Sequence, residues 1–339
     1  MNQTLKQALK VKVTCRKTGL LAIIVCGLLL LFSCHSDSDE KKELIEISSP
    51  QDSLLFSQKP AILNIADEGY LDSAKAKLKK FNKDSLQTSE AKALFHYTRA
   101  YLLDYDANYR QSIEEYKKAL YLLNTAGEFK SLLLANTHND LGYVYNEIYF
   151  EAQALESYEK SFNIVWTYHK DNADEVASAT NNYLGALADY GSTEKINQVL
   201  DLVTPYFDDL TSSTDLQDYT EEQQLKLLSI YYLSISKATR LSFNENLLRN
   251  VIHQQEALFQ KAPKELQNKY INRLIYTYDQ AGYAYLKVKK NQEAFEAFEK
   301  MRSRSSSKTD ITKAESNLEE ICELGVGGRW ACSSGSNIT

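Results

Sequence analysis

Proline and glycine are scarce in this chain, with four and twelve residues in 339. Strands joined by tight turns consume both types heavily. Their scarcity excludes a β-rich architecture, and the abundance of Ala, Leu, Glu and Lys favours helix. No cysteine lies between Cys34 and Cys322, so the body has no internal disulfide framework and is held by packing. Beyond the N-terminal stretch Lys and Arg do not cluster, and the net charge is -6. This excludes nucleic acid as a partner, because phosphate binding needs grouped cations. After residue 40 no apolar run reaches the ~18 residues of a membrane span. Gly-rich phosphate loops, G-x-S-x-G and HExxH are absent. The five histidines, His35, His96, His138, His169 and His253, are scattered, with no i, i+4 pair of the metal-binding kind. These absences predict no enzyme, no cofactor and no metal.

What is present begins at Lys10. A basic stretch (Lys10, Lys12, Arg16, Lys17) precedes an apolar run, Gly19 to Phe32, and a polar acidic segment starts at His35. This is the layout of a secretion signal. With Cys34 directly after Ser33, it resembles a bacterial lipoprotein signal of Bacteroidetes type, in which Phe32 and Ser33 are a loose form of the cleavage box. The resemblance implies a signal peptide over 1–33, Cys34 as first mature residue and lipid carrier, and an outer-membrane lipoprotein of the cell envelope. The acidic run also resembles a surface-export signal; the plainer reading is a solvated tether. An uncleaved anchor is the alternative to the lipoprotein, and the apolar run is short for it.

Polar composition predicts a tether over 34–59. Helix follows helix over 60–302, and 303–339 holds a linker, a possible capping helix over Thr312–Leu324 and an irregular tail with Cys332. The helices repeat. Gly142, Tyr145, Ala154 and Tyr158 share a frame with Gly282, Tyr285, Ala294 and Phe298, and with Ala100, Leu103, Ser112 and Tyr116. A small residue, a large one three on, a small one nine further and an aromatic four beyond is a packing code for two antiparallel helices. It is similar to the tetratricopeptide repeat. The resemblance implies an all-α fold, a right-handed superhelix of about six antiparallel helix pairs (a TPR-like α-solenoid), with first helices lining a concave groove. His138 stands where the family has Trp. Successive units, marked by Ala100, Gly142 and Gly185, are farther apart than the usual 34 residues. In the Gly185 unit, Asn197 and Asp201 fall at the small and aromatic positions.

Most of the 23 tyrosines fall at packing positions. On first helices, His96, Arg99, Asn139, Asn146, Asn181 and Asn182 are the candidate groove residues. In the family such side chains hold an extended peptide backbone or a terminal carboxylate. The expected function is a membrane-anchored scaffold that binds a protein or peptide partner. Two other readings are a remnant of a longer membrane signalling regulator and a SusD-like glycan-binding lipoprotein. The last lacks its usual large insertions here.

Overall fold

A computed structural model describes residues 49–212 and 215–323. The expected signal peptide, Cys34, most of the tether and the terminal tail with Cys332 lie outside the described residues. Within them the fold is all-helical, with no strand and no helix long and apolar enough to cross a membrane.

Among the described residues thirteen α-helices follow one another: α1 (Pro50–Asp67), α2 (Leu71–Leu78), α3 (Ser89–Tyr105), α4 (Tyr109–Ala126), α5 (Leu132–Glu147), α6 (Glu151–Tyr168), α7 (Ala173–Tyr190), α8 (Thr193–Ser212), α9 (Glu221–Thr239), α10 (Glu245–Lys261), α11 (Lys264–Lys287), α12 (Asn291–Arg304) and α13 (Lys308–Glu323). Local chemistry sets several starts. Thr88 caps α3 by accepting from Ala91 N at 3.1 Å, and Thr220 with Gln223 forms a capping box at α9. Helices pack in consecutive pairs: α3 on α4, α5 on α6, α7 on α8, α9 on α10, α11 on α12. The odd helices α7, α9 and α11 also pack side by side, and α13 closes on α12 with Ala314, Leu318 and Ile321 buried.

The packing code holds atom by atom in two units. A Cβ on Gly142 would stand 2.9 Å from Tyr158 Cδ1, and one on Gly282 would overlap the fully buried ring of Phe298. Ala154 and Ala294 are fully buried, and Tyr145 and Tyr285 nearly so. In the third unit Ala100, Ser112 and Tyr116 are all fully buried, and Ser112 Oγ donates to the Ala100 carbonyl at 2.9 Å.

The intervening turns repeat as well. Ala107, Tyr149 and Lys289 have φ of 53°, 60° and 62°, a region that non-glycine residues seldom enter. Each begins the same closure: Asn108 N donates to Leu103 O at 2.9 Å, Phe150 N to Tyr145 O at 2.8 Å and Lys290 N to Tyr285 O at 2.9 Å. This bond satisfies carbonyls the helix end leaves orphaned. Gly69 (φ 88°) makes the same turn between α1 and α2, so the first pair belongs to the series, with Ala74, Leu78 and Phe81 buried.

Two expectations are corrected. The helix of the first pair begins at Pro50, not Pro60, so residues 50–59 are not tether. Pro60 sits inside α1, where the buried residues Leu55, Ile62 and Ala66 keep one face inward across it. Asp52, buried on α1, accepts from Gln87 N at 3.1 Å and Thr88 N at 3.0 Å, which ties this turn to the start of α3. In the Gly185 unit the turn has no left-handed residue: Gly191 has φ -96°, and Ile196 N already bonds to Ser192 O. The turn is one residue shorter than in the regular units. The inward positions therefore become Ile196 and Leu200, while Asn197 and Asp201 are exposed.

Candidate functional site

Polar side chains tie each odd helix to the next. Tyr101 and Tyr105 on α3 both donate from their hydroxyls to Asp67 Oδ1 on α1, each at 2.6 Å. Tyr97 OH donates to Asp140 Oδ2 on α5 at 2.7 Å. Asn182 Nδ2 on α7 donates to Asn139 Oδ1 at 2.7 Å, and Tyr190 OH to Asn146 Oδ1 at 2.6 Å. Lys237 on α9 donates to Asn181 Oδ1 at 3.1 Å, and Arg240 pairs with Asp189. Farther on, Glu222 accepts from Lys269 at 2.6 Å and from Tyr270 at 2.8 Å. Lys313 pairs with Asp279 at 2.9 Å.

Two of these links, joined by two bonds between neighbours on one helix, form one continuous chain with a direction. Lys237 Nζ donates to Asn181, Asn181 Nδ2 to Asn182 Oδ1 (3.0 Å), Asn182 Nδ2 to Asn139 Oδ1, and Asn139 Nδ2 to Asp140 Oδ1 (3.1 Å). An ammonium stands at one end and a carboxylate at the other. These ends fix which way each amide points, since a flipped amide would set NH₂ against NH₂ or oxygen against oxygen. Bonds aligned this way polarise one another. Burial pushes the Lys237 ammonium below its usual range, and Asp189 acts against that. Burial raises Asp140, while the bonds from Tyr97 and Asn139 and the charge of Lys59 act the other way.

The chain borders a cleft of about 450 Å³ between α3, α4, α5 and α7. Asn139, Asp140 and Asn182 form one side, and Asp104 with tyrosines including Tyr101, Tyr116 and Tyr143 the rest. Asp104 is half-buried, and its carboxylate makes no hydrogen bond or ion pair among the described residues. Burial first, then the charges of Asp140 and Glu147, raise it to about 6. An acid whose folded pKa is raised contributes stability below its unfolded value of 3.8 and loses it as pH rises through about 6. Asp104→Asn is therefore expected to raise the thermal midpoint at pH 7.5, with a gain that shrinks as the pH falls toward 4. A pH series of melts on wild type and variant checks this; a pH-independent difference refutes it.

The six candidate groove residues divide. Asn139, Asn146, Asn181 and Asn182 come together on this face. His96 and Arg99 do not join them. His96 is buried, with Nδ1 2.6 Å from Glu115 Oε2 on α4, and Arg99 reaches toward the same carboxylate at 3.9 Å. Burial lowers His96, the Glu115 hydrogen bond opposing. His138 is half-buried and lowered to about 4, by burial and then by Lys160, so its ring is neutral near pH 7. Reading polar residues off the first helices missed Tyr97, Asp104 and Asp140. A signal for the first two existed: aligning Ala100 with Gly142 sets Tyr97 opposite Asn139 and Asp104 opposite Asn146. Among the described residues no group of three or more His, Cys, Asp or Glu side chains is placed to hold a metal ion. No family model matches this chain, and no curated protein matches it.

Proposed function

We propose that this chain is a membrane-anchored scaffold of tetratricopeptide type that holds a peptide segment or protein partner at the bacterial cell envelope. In this reading about six helix pairs wind into a right-handed superhelix. Its odd helices line the inner groove, and lipid on Cys34 fixes the chain to the outer membrane. The observation that carries the reading is the row of amides and carboxylates linking successive odd helices. Asn139, Asn181 and Asn182 each spend one donor and one acceptor on their neighbours and keep a second N–H. Groups of that kind, half-buried and held in place, suit the peptide links of an extended partner.

Because Asn139, Asn146 and Asn182 also bond across helices, changing them to Ala would disturb folding along with binding. Tyr143 is the cleaner probe, since its side chain lines the cleft and the residue is 48% exposed. Crosslinking in intact cells followed by capture is expected to recover a partner with wild type and at least tenfold less with Tyr143→Ala, at an unchanged melting midpoint. Undiminished recovery would place the partner on another face. For the anchor, Cys34→Ala is expected to abolish labelling by a fatty-acid analogue and to release the protein from membranes or leave it as precursor. A variant that still takes label in the outer-membrane fraction refutes the lipoprotein reading. Two acyl chains or more, at about 0.8 kcal/mol per buried CH₂, suffice for stable attachment.

A further inference from the structure

The cleft beside the amide chain has an unusual balance of groups. Asp104 has no cation beside it, whereas Asp140 is offset by Lys59, whose Nζ stands 4.9 Å from the Tyr97 ring centroid. Tyr116 lines the same cleft, is fully buried, and its hydroxyl has no hydrogen-bond partner. That hydroxyl is closed off from the cleft, so the group open to a ligand is the Asp104 carboxylate, which has no counter-charge. The remaining walls are aromatic. Tyr101 and Tyr105 commit their hydroxyls to Asp67 and leave ring surface toward the cleft, and Tyr143 adds a third ring.

We propose that this cleft is a binding site for an organic cation, an alkylammonium or guanidinium group, which donates to the Asp104 carboxylate and lies against the tyrosine rings. Other ligand classes fit poorly. An anion would meet two carboxylates. A purely apolar group would seal the Asp104 carboxylate away from water without a partner. A divalent metal asks for six or more oxygens in close array, and two carboxylates do not supply them. An organic cation answers each feature at once, by charge, by N–H donors and by attraction to aromatic faces. The raised Asp104 accords with a carboxylate awaiting a counter-charge. The volume of about 450 Å³ suits a small ligand or one side chain. The cation can come as a Lys or Arg side chain of a bound peptide or as a free amine; the proposal rests on the odd-helix face being a binding face, and not on the partner being a protein.

Calorimetric titration of the full-length protein in detergent micelles tests it. The probes are agmatine and putrescine as free cations, short capped peptides with a central Arg or Lys, and butyramide and butyrate as neutral and anionic comparisons. At least one cationic probe is expected to bind at least thirtyfold more tightly than butyramide, with butyrate showing no binding. Asp104→Asn is expected to weaken that probe tenfold or more. Glu114→Gln, an exposed change outside the cleft, is expected to leave it unaltered. Binding of the peptides alone identifies a peptide side chain as the source, and equal binding of the free amines identifies the group itself; both support the site. No cationic binding, preference for butyrate, or an unchanged affinity in a folded Asp104→Asn variant overturns it. Cellular capture is independent of this titration. Amine binding without a captured partner would sink the scaffold reading and leave the site standing.

Discussion

Gly282→Ala is expected to destabilise the folded chain by about 3 kcal/mol, whereas Gly185→Ala is expected to stabilise it by about 0.5–1 kcal/mol. Both glycines lie inside helices at the same place in the repeat, so propensity alone predicts a small gain for each. What separates them is the neighbour. A methyl on Gly282 would collide with Phe298, which is fully buried against its pair and has no room to retreat. A methyl on Gly185 would meet only the Lys237 side chain, at 3.7 Å, an ordinary contact with a flexible group. Urea unfolding midpoints read the difference directly. Similar effects from the two would mean that close helix approach is not what Gly282 serves.

Asp140→Leu is expected to lower stability by about 2–4 kcal/mol, because it leaves the Tyr97 hydroxyl and one Asn139 N–H without their acceptor in a half-buried place. Lys237→Met, at the far end of the amide chain, should show a smaller loss. The informative quantity is the double variant. Residues on α5 and α9 that share no contact normally add, but here the two ends set the direction of every amide between them. A coupling of about 0.5–1 kcal/mol between Asp140→Leu and Lys237→Met is expected. Strict additivity would reduce the chain to four separate bonds.

The repeat was readable wherever its spacing was kept. Small residues at Gly142 and Gly282, and aromatics at Tyr158 and Phe298, announce close helix pairs because each half of the contact is visible in the sequence and the two halves meet. The reading failed where length changed without an outward sign. The turn at Gly191 lost its left-handed residue, and every later position in α8 moved by one, from Asn197 to Ile196 and from Asp201 to Leu200. It failed again at Pro60, read as the start of the helical region, which sits inside α1. For the site, residue type was a poor guide and register a good one. His96 and Arg99 are polar and on a first helix, yet they turn toward Glu115 on α4. Tyr97, which bonds to Asp140, and Asp104, which lines the cleft, stand at the repeat equivalents of Asn139 and Asn146. Asp140 could not be told from a solvated carboxylate, since its partner Tyr97 lies a full unit away.

Arrays of helix pairs ordinarily grow or shrink by duplication and loss of whole units, since each unit answers only to its neighbours. Between α3 and α9 that freedom is withdrawn. Excising α5 and α6 would bring Asn182 beside a helix that offers Tyr97 in place of an accepting amide, and would leave Lys237 heading a series with no carboxylate at its end. A duplicated unit would be admitted only if it carried an amide of matching sense. Descendants of this gene are therefore expected to differ in unit number outside this block, from α10 onward, and to keep its internal count unchanged.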